Sequence, residues 1–93
     1  MLASGDRLIT FDSTHHALRA ETLLEAAGIA IMIIPTPREL SASCGLAITF
    51  RSSDASRLQA VLRDSGIQIS GRYRVTGGEA GSERRYEREG ETT

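Results

Sequence analysis

The chain contains one cysteine, Cys44, set in a run of small residues, Ser41-Ala42-Ser43-Cys44-Gly45. A single thiol cannot close an internal disulfide or supply a multi-thiolate zinc site. Three uses remain: apolar packing, a bridge to another molecule, or a chemically used thiol. Upstream, Asp12-Ser13-Thr14-His15-His16 gathers a carboxylate, two hydroxyls and two imidazoles, and Arg38 places a guanidinium ahead of the thiol. Hydroxyls, an arginine and a helix N-terminus suit an anion, and His, Arg and such a terminus also favour thiolate over thiol. The candidate site is therefore Cys44 with Ser13, Thr14, His15, Arg38, Ser43 and Gly45 as binding residues. Adjacent helical residues point about 100° apart, so His15 and His16 are poorly placed to share an ion and no metal site is expected. His16 reads as a satisfied helix-terminal residue and His15 as the one facing the loop. A serine hydrolase would need a Gly-x-Ser-x-Gly elbow and a nucleotide site a glycine-rich phosphate loop, and neither motif is present.

The elements that must position these residues come in two similar halves. Ile9-Thr10-Phe11, a polar turn, a helical pattern and Gly28-Ile29 are matched by Ile48-Thr49-Phe50, a polar turn, a helical pattern and Gly66-Ile67. Each half reads as a βαβ unit. In the first, Asp12, Ser13 and Thr14 can cap a helix whose apolar face is His16, Ala20, Leu23, Leu24 and Ala27, with Gly28 as its stop. The β-branched run Ile29 to Ile34 follows as a buried strand. In the second, Ser53 or Asp54 caps a helix with the inner face Ala55, Leu58, Val61 and Leu62, and Ile67, Ile69 and Tyr73 supply the last strand. The predicted order is a strand near 8–11, a helix near 14–27, strands near 30–34 and 46–50, a helix near 54–65 and a strand near 67–74.

A duplicated βαβ with short connections folds most economically as an α+β, ferredoxin-like sandwich, four antiparallel strands with two helices on one face. A right-handed crossover sets the first and second strands parallel, with the third between them. The other face is left open, a place where two copies could form a homodimer. The connection Pro35 to Gly45 is long for a hairpin and begins with two prolines, which calls for a function. It leaves the sheet at the same end as the first strand-to-helix turn. Topology therefore puts Cys44 close to Asp12–His16 and to the positive end of the first helix dipole.

With 93 residues, 40% of them hydrophobic and 25% charged, the chain suits one small domain. The domain is expected over 1–75, followed at 76–93 by a flexible charged tail with five Glu against three Arg and no aliphatic side chain larger than Ala. A net charge of -1 gives no electrostatic reason for nucleic acid as a partner. The longest run free of charged or strongly polar residues, Ala26 to Pro35, is half the ~20 residues of a membrane span, and the Met1 to Asp6 start has no signal-peptide pattern. The expectation is a cytoplasmic protein with no membrane partner.

Three phrases carry a family resemblance: Phe11-Asp12-Ser13-Thr14-His15-His16-Ala17-Leu18-Arg19-Ala20-Glu21, Pro35-Thr36-Pro37-Arg38-Glu39 and Ser43-Cys44-Gly45-Leu46-Ala47. In this order they resemble the small bacterial selenium/sulfur carrier-like proteins, over roughly Leu8 to Ile69. The resemblance implies that the Cys-Gly pair, Cys44 here, is the carrier position. The chain lacks the Cys-Pro-x-Pro motif of SirA-like sulfur carriers, and its acidic tail lies outside the resemblance. A carrier needs an accessible activated thiol and no resolving cysteine. Its partners would be a cysteine desulfurase or another sulfur or selenium donor, together with an acceptor protein. It would be an accessory protein rather than a stand-alone enzyme and would need no cofactor. Two other readings stay open: a non-catalytic module binding a small molecule, an anion or a protein, and a dimerisation domain in which Cys44 is packing.

Overall fold

The computed structural model of the chain describes residues 6–40, 44–76 and 85–89. In order, the elements are β1 (Asp6–Phe11), α1 (Thr14–Ala26), β2 (Ile31–Pro35), β3 (Leu46–Arg51), a 3-10 turn (Ser52–Asp54), α2 (Ala55–Arg63), β4 (Ile69–Thr76) and β5 (Arg85–Arg88). The strands form one open antiparallel sheet in the order β2-β3-β1-β4-β5. β3 lies between β1 and β2, which are parallel to each other because each is antiparallel to β3. The architecture is α+β and roughly ferredoxin-like, with five strands where four were expected.

Strand alternation sorts the apolar side chains to two faces. Ile9 and Phe11 of β1 and Ile48 and Phe50 of β3 share a buried cluster with Ala17, Ala20 and Leu24 of α1 and Leu58 and Leu62 of α2. Both helices thus cover the same face. On α1 the buried stripe is Ala17, Ala20 and Leu24, so small residues let the helix lie close to the sheet. His16, expected in that stripe, is only half-buried.

The end of α1 follows from Gly28, whose φ of +78° is open to glycine at little cost. The Gly28 amide donates to the Glu25 carbonyl at 3.0 Å and the Ile29 amide to the Leu24 carbonyl at 3.1 Å. This is a Schellman closure, and it delivers the apolar Ile29 into the core beside Leu24. At the start of α2, Asp54 occupies the cap position without a capping hydrogen bond, and its carboxylate pairs with Arg57 at 3.6 Å instead.

β2, which the expected strand order already put at an edge, is half-buried rather than buried: Ile31, Ile33 and Ile34 are half-buried and Met32 is 46% exposed. An apolar run reads the same whether one or two neighbours flank it, so composition alone overstated its burial. The charged tail, expected to stand off the sheet beyond Thr76, instead contributes β5, which pairs Tyr73 with Arg88 and Val75 with Tyr86. Its lone aromatic supplies the apolar contact, because Tyr86 packs against the cluster to which Tyr73 and Val75 belong. Residues 77–84 and 90–93 of the tail lie outside the described residues.

The face opposite the helices is likewise not bare. Leu8, Ala47, Tyr73 and Val75 are buried there, with Ile34, Leu40 and Tyr86 packed against them. Leu40 comes from the connection between β2 and β3, so the described start of that connection reaches this face. Gly71 allows the aromatic to lie flat: a Cβ there would stand 2.7 Å from the Tyr73 hydroxyl oxygen.

Candidate functional site around Cys44

β1 ends at Phe11 and the chain turns through Asp12 and Ser13 into α1. Ser13 is extended (φ -152°, ψ 158°), and its Oγ accepts the His16 amide at 3.3 Å. That cap fixes Thr14 as the first residue of the helix. β2 ends at Pro35, at the same end of the sheet, and the next residue closes the neck of the long loop. The Thr36 amide donates to the Gly45 carbonyl at 2.9 Å and its hydroxyl to the Cys44 carbonyl at 3.0 Å. Within the loop, the Leu40 amide donates to the Pro37 carbonyl at 3.0 Å.

These constraints bring Cys44 against the first turn of α1. Its Sγ lies 3.6 Å from Thr14 Oγ1, donating to it as a thiol, and accepts the Leu46 amide at 3.3 Å. Hydroxyl hydrogens rotate, so Thr14 can donate in return if the sulfur carries negative charge. Cys44 is 2% exposed and belongs to the buried cluster that includes Phe11, Ala17 and Ile48. The sulfur therefore has two polar partners on one side of an otherwise apolar setting. A persulfide placed there would extend the side chain into packed atoms unless the neck opened.

The other sequence candidates divide. Ser13 acts as the helix cap and Thr14 reaches the sulfur. Gly45 is exposed, its carbonyl held by Thr36, and nothing lies within 4 Å of where a Cβ would stand. His15 is exposed and approaches the His16 ring edge-on, at 6.0 Å between centroids. His16 Nδ1 accepts the Gln68 amide at 3.2 Å, which ties α1 to the chain entering β4. Arg38 is exposed in the turn after Pro37 and has no hydrogen-bond or ion-pair partner among the described residues. Ser43 lies outside the described residues. Sequence reading passed over Thr36, whose position between Pro35 and Pro37 was the available signal: both neighbours have fixed φ, so its own amide and hydroxyl are held in place. No cluster of three potential metal ligands occurs among the described residues, and no described helix is long and apolar enough to cross a membrane.

An α+β sheet that holds one cysteine at a helix N-terminus defines a single-thiol domain. The chain belongs to the family described as "Putative Se/S carrier protein-like", which matches residues 6–74. The match ends within β4, so β5 lies beyond it. No curated protein and no solved structure matches the chain.

Proposed function

We propose that Cys44 carries sulfur or selenium as a persulfide or perselenide and passes it to a partner protein. The observation that supports this reading is the seat of the sulfur, between the Leu46 amide and the Thr14 hydroxyl at the first turn of α1. Both groups can donate to a sulfur anion, and the helix terminus adds positive potential. Loading needs no external redox partner. The Cys44 thiolate attacks the terminal sulfur of a donor persulfide, the donor's sulfur–sulfur bond breaks, and the donor leaves as a thiolate. Delivery is the same exchange in reverse, toward an acceptor thiol.

Because the sulfur is buried, loading requires the Thr36 neck to release the Cys44–Gly45 segment. Gly45 suits that motion, being exposed and without neighbours at its Cβ position. The donor would be a cysteine desulfurase or a selenium-supplying counterpart, and the working compartment the cytoplasm. A homodimer through the sheet face opposite the helices would use the margins of that face, such as Met32, because its centre is already buried.

The test is intact-mass spectrometry after incubating the reduced protein with a cysteine desulfurase and cysteine. The expected product gains one sulfur, which dithiothreitol removes and Cys44→Ser never acquires. The burial of Cys44 favours one other reading, a non-catalytic binding module in which the thiol is core packing. A chain that gains no sulfur from several desulfurases, and whose native thiol resists alkylation until it unfolds, would replace the carrier reading with that one.

A further inference from the structure

β4 carries arginines where a helix-covered strand would ordinarily carry apolar side chains. The register sets Arg74 opposite Arg7 and Arg72 opposite Ile9, and directly paired residues share a face of the sheet. Ile9 is buried in the core beneath the helices, so Arg7, Arg72 and Arg74 all stand on the helix-bearing face. One carboxylate serves two of them: Glu89 pairs with Arg7 at 3.0 Å and with Arg74 at 3.9 Å. The Arg72 side chain has no ion-pair or hydrogen-bond partner among the described residues. It lines an open cavity of about 440 Å³ between α2 and the start of β4, together with Arg63, Gln59 and Gln68, over apolar atoms of Leu62 and Ile69.

We infer that this cavity binds a small organic anion, a carboxylate or phosphate monoester on a short apolar body. Its volume lies within the roughly 300–1,000 Å³ of small-molecule sites, and its lining is mostly polar, with Leu62, Ile67 and Ile69 as the apolar minority, so a charged head group rather than an apolar body would dominate recognition. Two guanidiniums without carboxylate partners favour an anionic head, which each can meet with paired N–H bonds. Gln59 and Gln68 offer both donors and acceptors to fix its orientation. Arg63 also sits in the last turn of α2, where a cation complements the helix dipole, and that alone would explain it. It does not explain Arg72, on a strand beside a core residue. The site is independent of sulfur chemistry at Cys44.

Nuclear magnetic resonance titration of the intact, 15N-labelled chain tests this at constant ionic strength, with succinate and phenyl phosphate as anions and succinamide as the uncharged control. At least one anion should shift the signals of Gln59, Gln68 and Ile69, and the tighter of the two identifies the head group. Succinamide should not. Affinity should fall at least about tenfold in Arg72→Gln and in Arg63→Gln, and stay unchanged in Arg19→Gln and Cys44→Ser. Arg72→Lys, which keeps the charge but loses the paired N–H geometry, should fall between, and it serves if Arg72→Gln does not fold. Shifts not confined to the cavity, an equal loss in Arg19→Gln, or an unchanged affinity in both Arg72 variants would overturn the assignment. So would concentration-dependent shifts at the same residues without ligand, because a second copy of this chain would then be the occupant.

Discussion

Thr36 and Thr14 act on Cys44 from opposite sides, one through its backbone and one through its sulfur. Replacing Thr36 by Val removes the hydroxyl bond to the Cys44 carbonyl, at a cost of about 1 kcal/mol in stability. It should speed alkylation of the native thiol several-fold at constant pH, because the neck opens more often. Rates with a neutral alkylating reagent, set beside the chemical denaturation midpoint, check this; an unaltered rate would show that the neck does not control access to the sulfur. A second residue of interest is Thr10, fully buried on the face opposite the helices, with no hydrogen-bond partner for its hydroxyl among the described residues. Burying an unpaired hydroxyl costs on the order of 1–3 kcal/mol, so Thr10→Val should leave the melting temperature unchanged or raise it. A clear fall would reveal a partner for that oxygen.

Among the elements, β4 depends on a close approach that no other residue type permits. At Gly71 a methyl group would meet the Tyr73 hydroxyl oxygen at 2.7 Å and a ring carbon at 2.8 Å, so Gly71→Ala must displace the aromatic from its place over the sheet. The expected cost is about 1–3 kcal/mol, read as a shift in the urea midpoint, and Tyr73→Leu in the same chain should recover part of it. Additive losses in the double variant would mean that the ring is not what the methyl group meets. At the end of α1, Gly28→Ala puts a side chain at a φ of +78°, which costs about 1–2 kcal/mol although nothing occupies the space.

At the scale of the whole molecule, β5 joins a tail of opposed charges to a sheet that would otherwise end at β4. Glu89 anchors it through Arg7, and the Glu89 amide donates to the Arg72 carbonyl at 2.9 Å. Truncation after Thr76 removes both, together with Tyr86 from the cluster around Leu8 and Val75. The shortened chain should keep its fold and lose about 1–3 kcal/mol, from one half-buried aromatic and one partly buried ion pair. A thermal transition that does not move would show that β5 adds nothing to stability. Glu89→Gln in the full chain should cost less than truncation, and its effect should shrink as salt is added.

The repeat of Ile-Thr-Phe, the helical spacings and the two stop glycines, Gly28 and Gly66, were enough to place four strands and two helices and to order them. Those signals are local: periodicity and turn chemistry act over a few residues, and the handedness of the crossover then leaves few topologies. The same logic brought Cys44 to the first turn of α1, because which end of the sheet a loop leaves from follows from topology alone. What only tertiary structure decided are properties of neighbours far apart in the chain. The burial of Cys44 depends on the cluster it joins, whose members come from β1, β3 and both helices. The exposure of Met32 on β2 depends on what does not pack against it. The pairing of β5 depends on Tyr86 finding an apolar patch assembled from three other strands, and the isolation of Arg72 on a single Glu89 being shared by its two neighbours. None of these is encoded in a window of sequence, because each is set by which surfaces remain after the sheet and helices have packed.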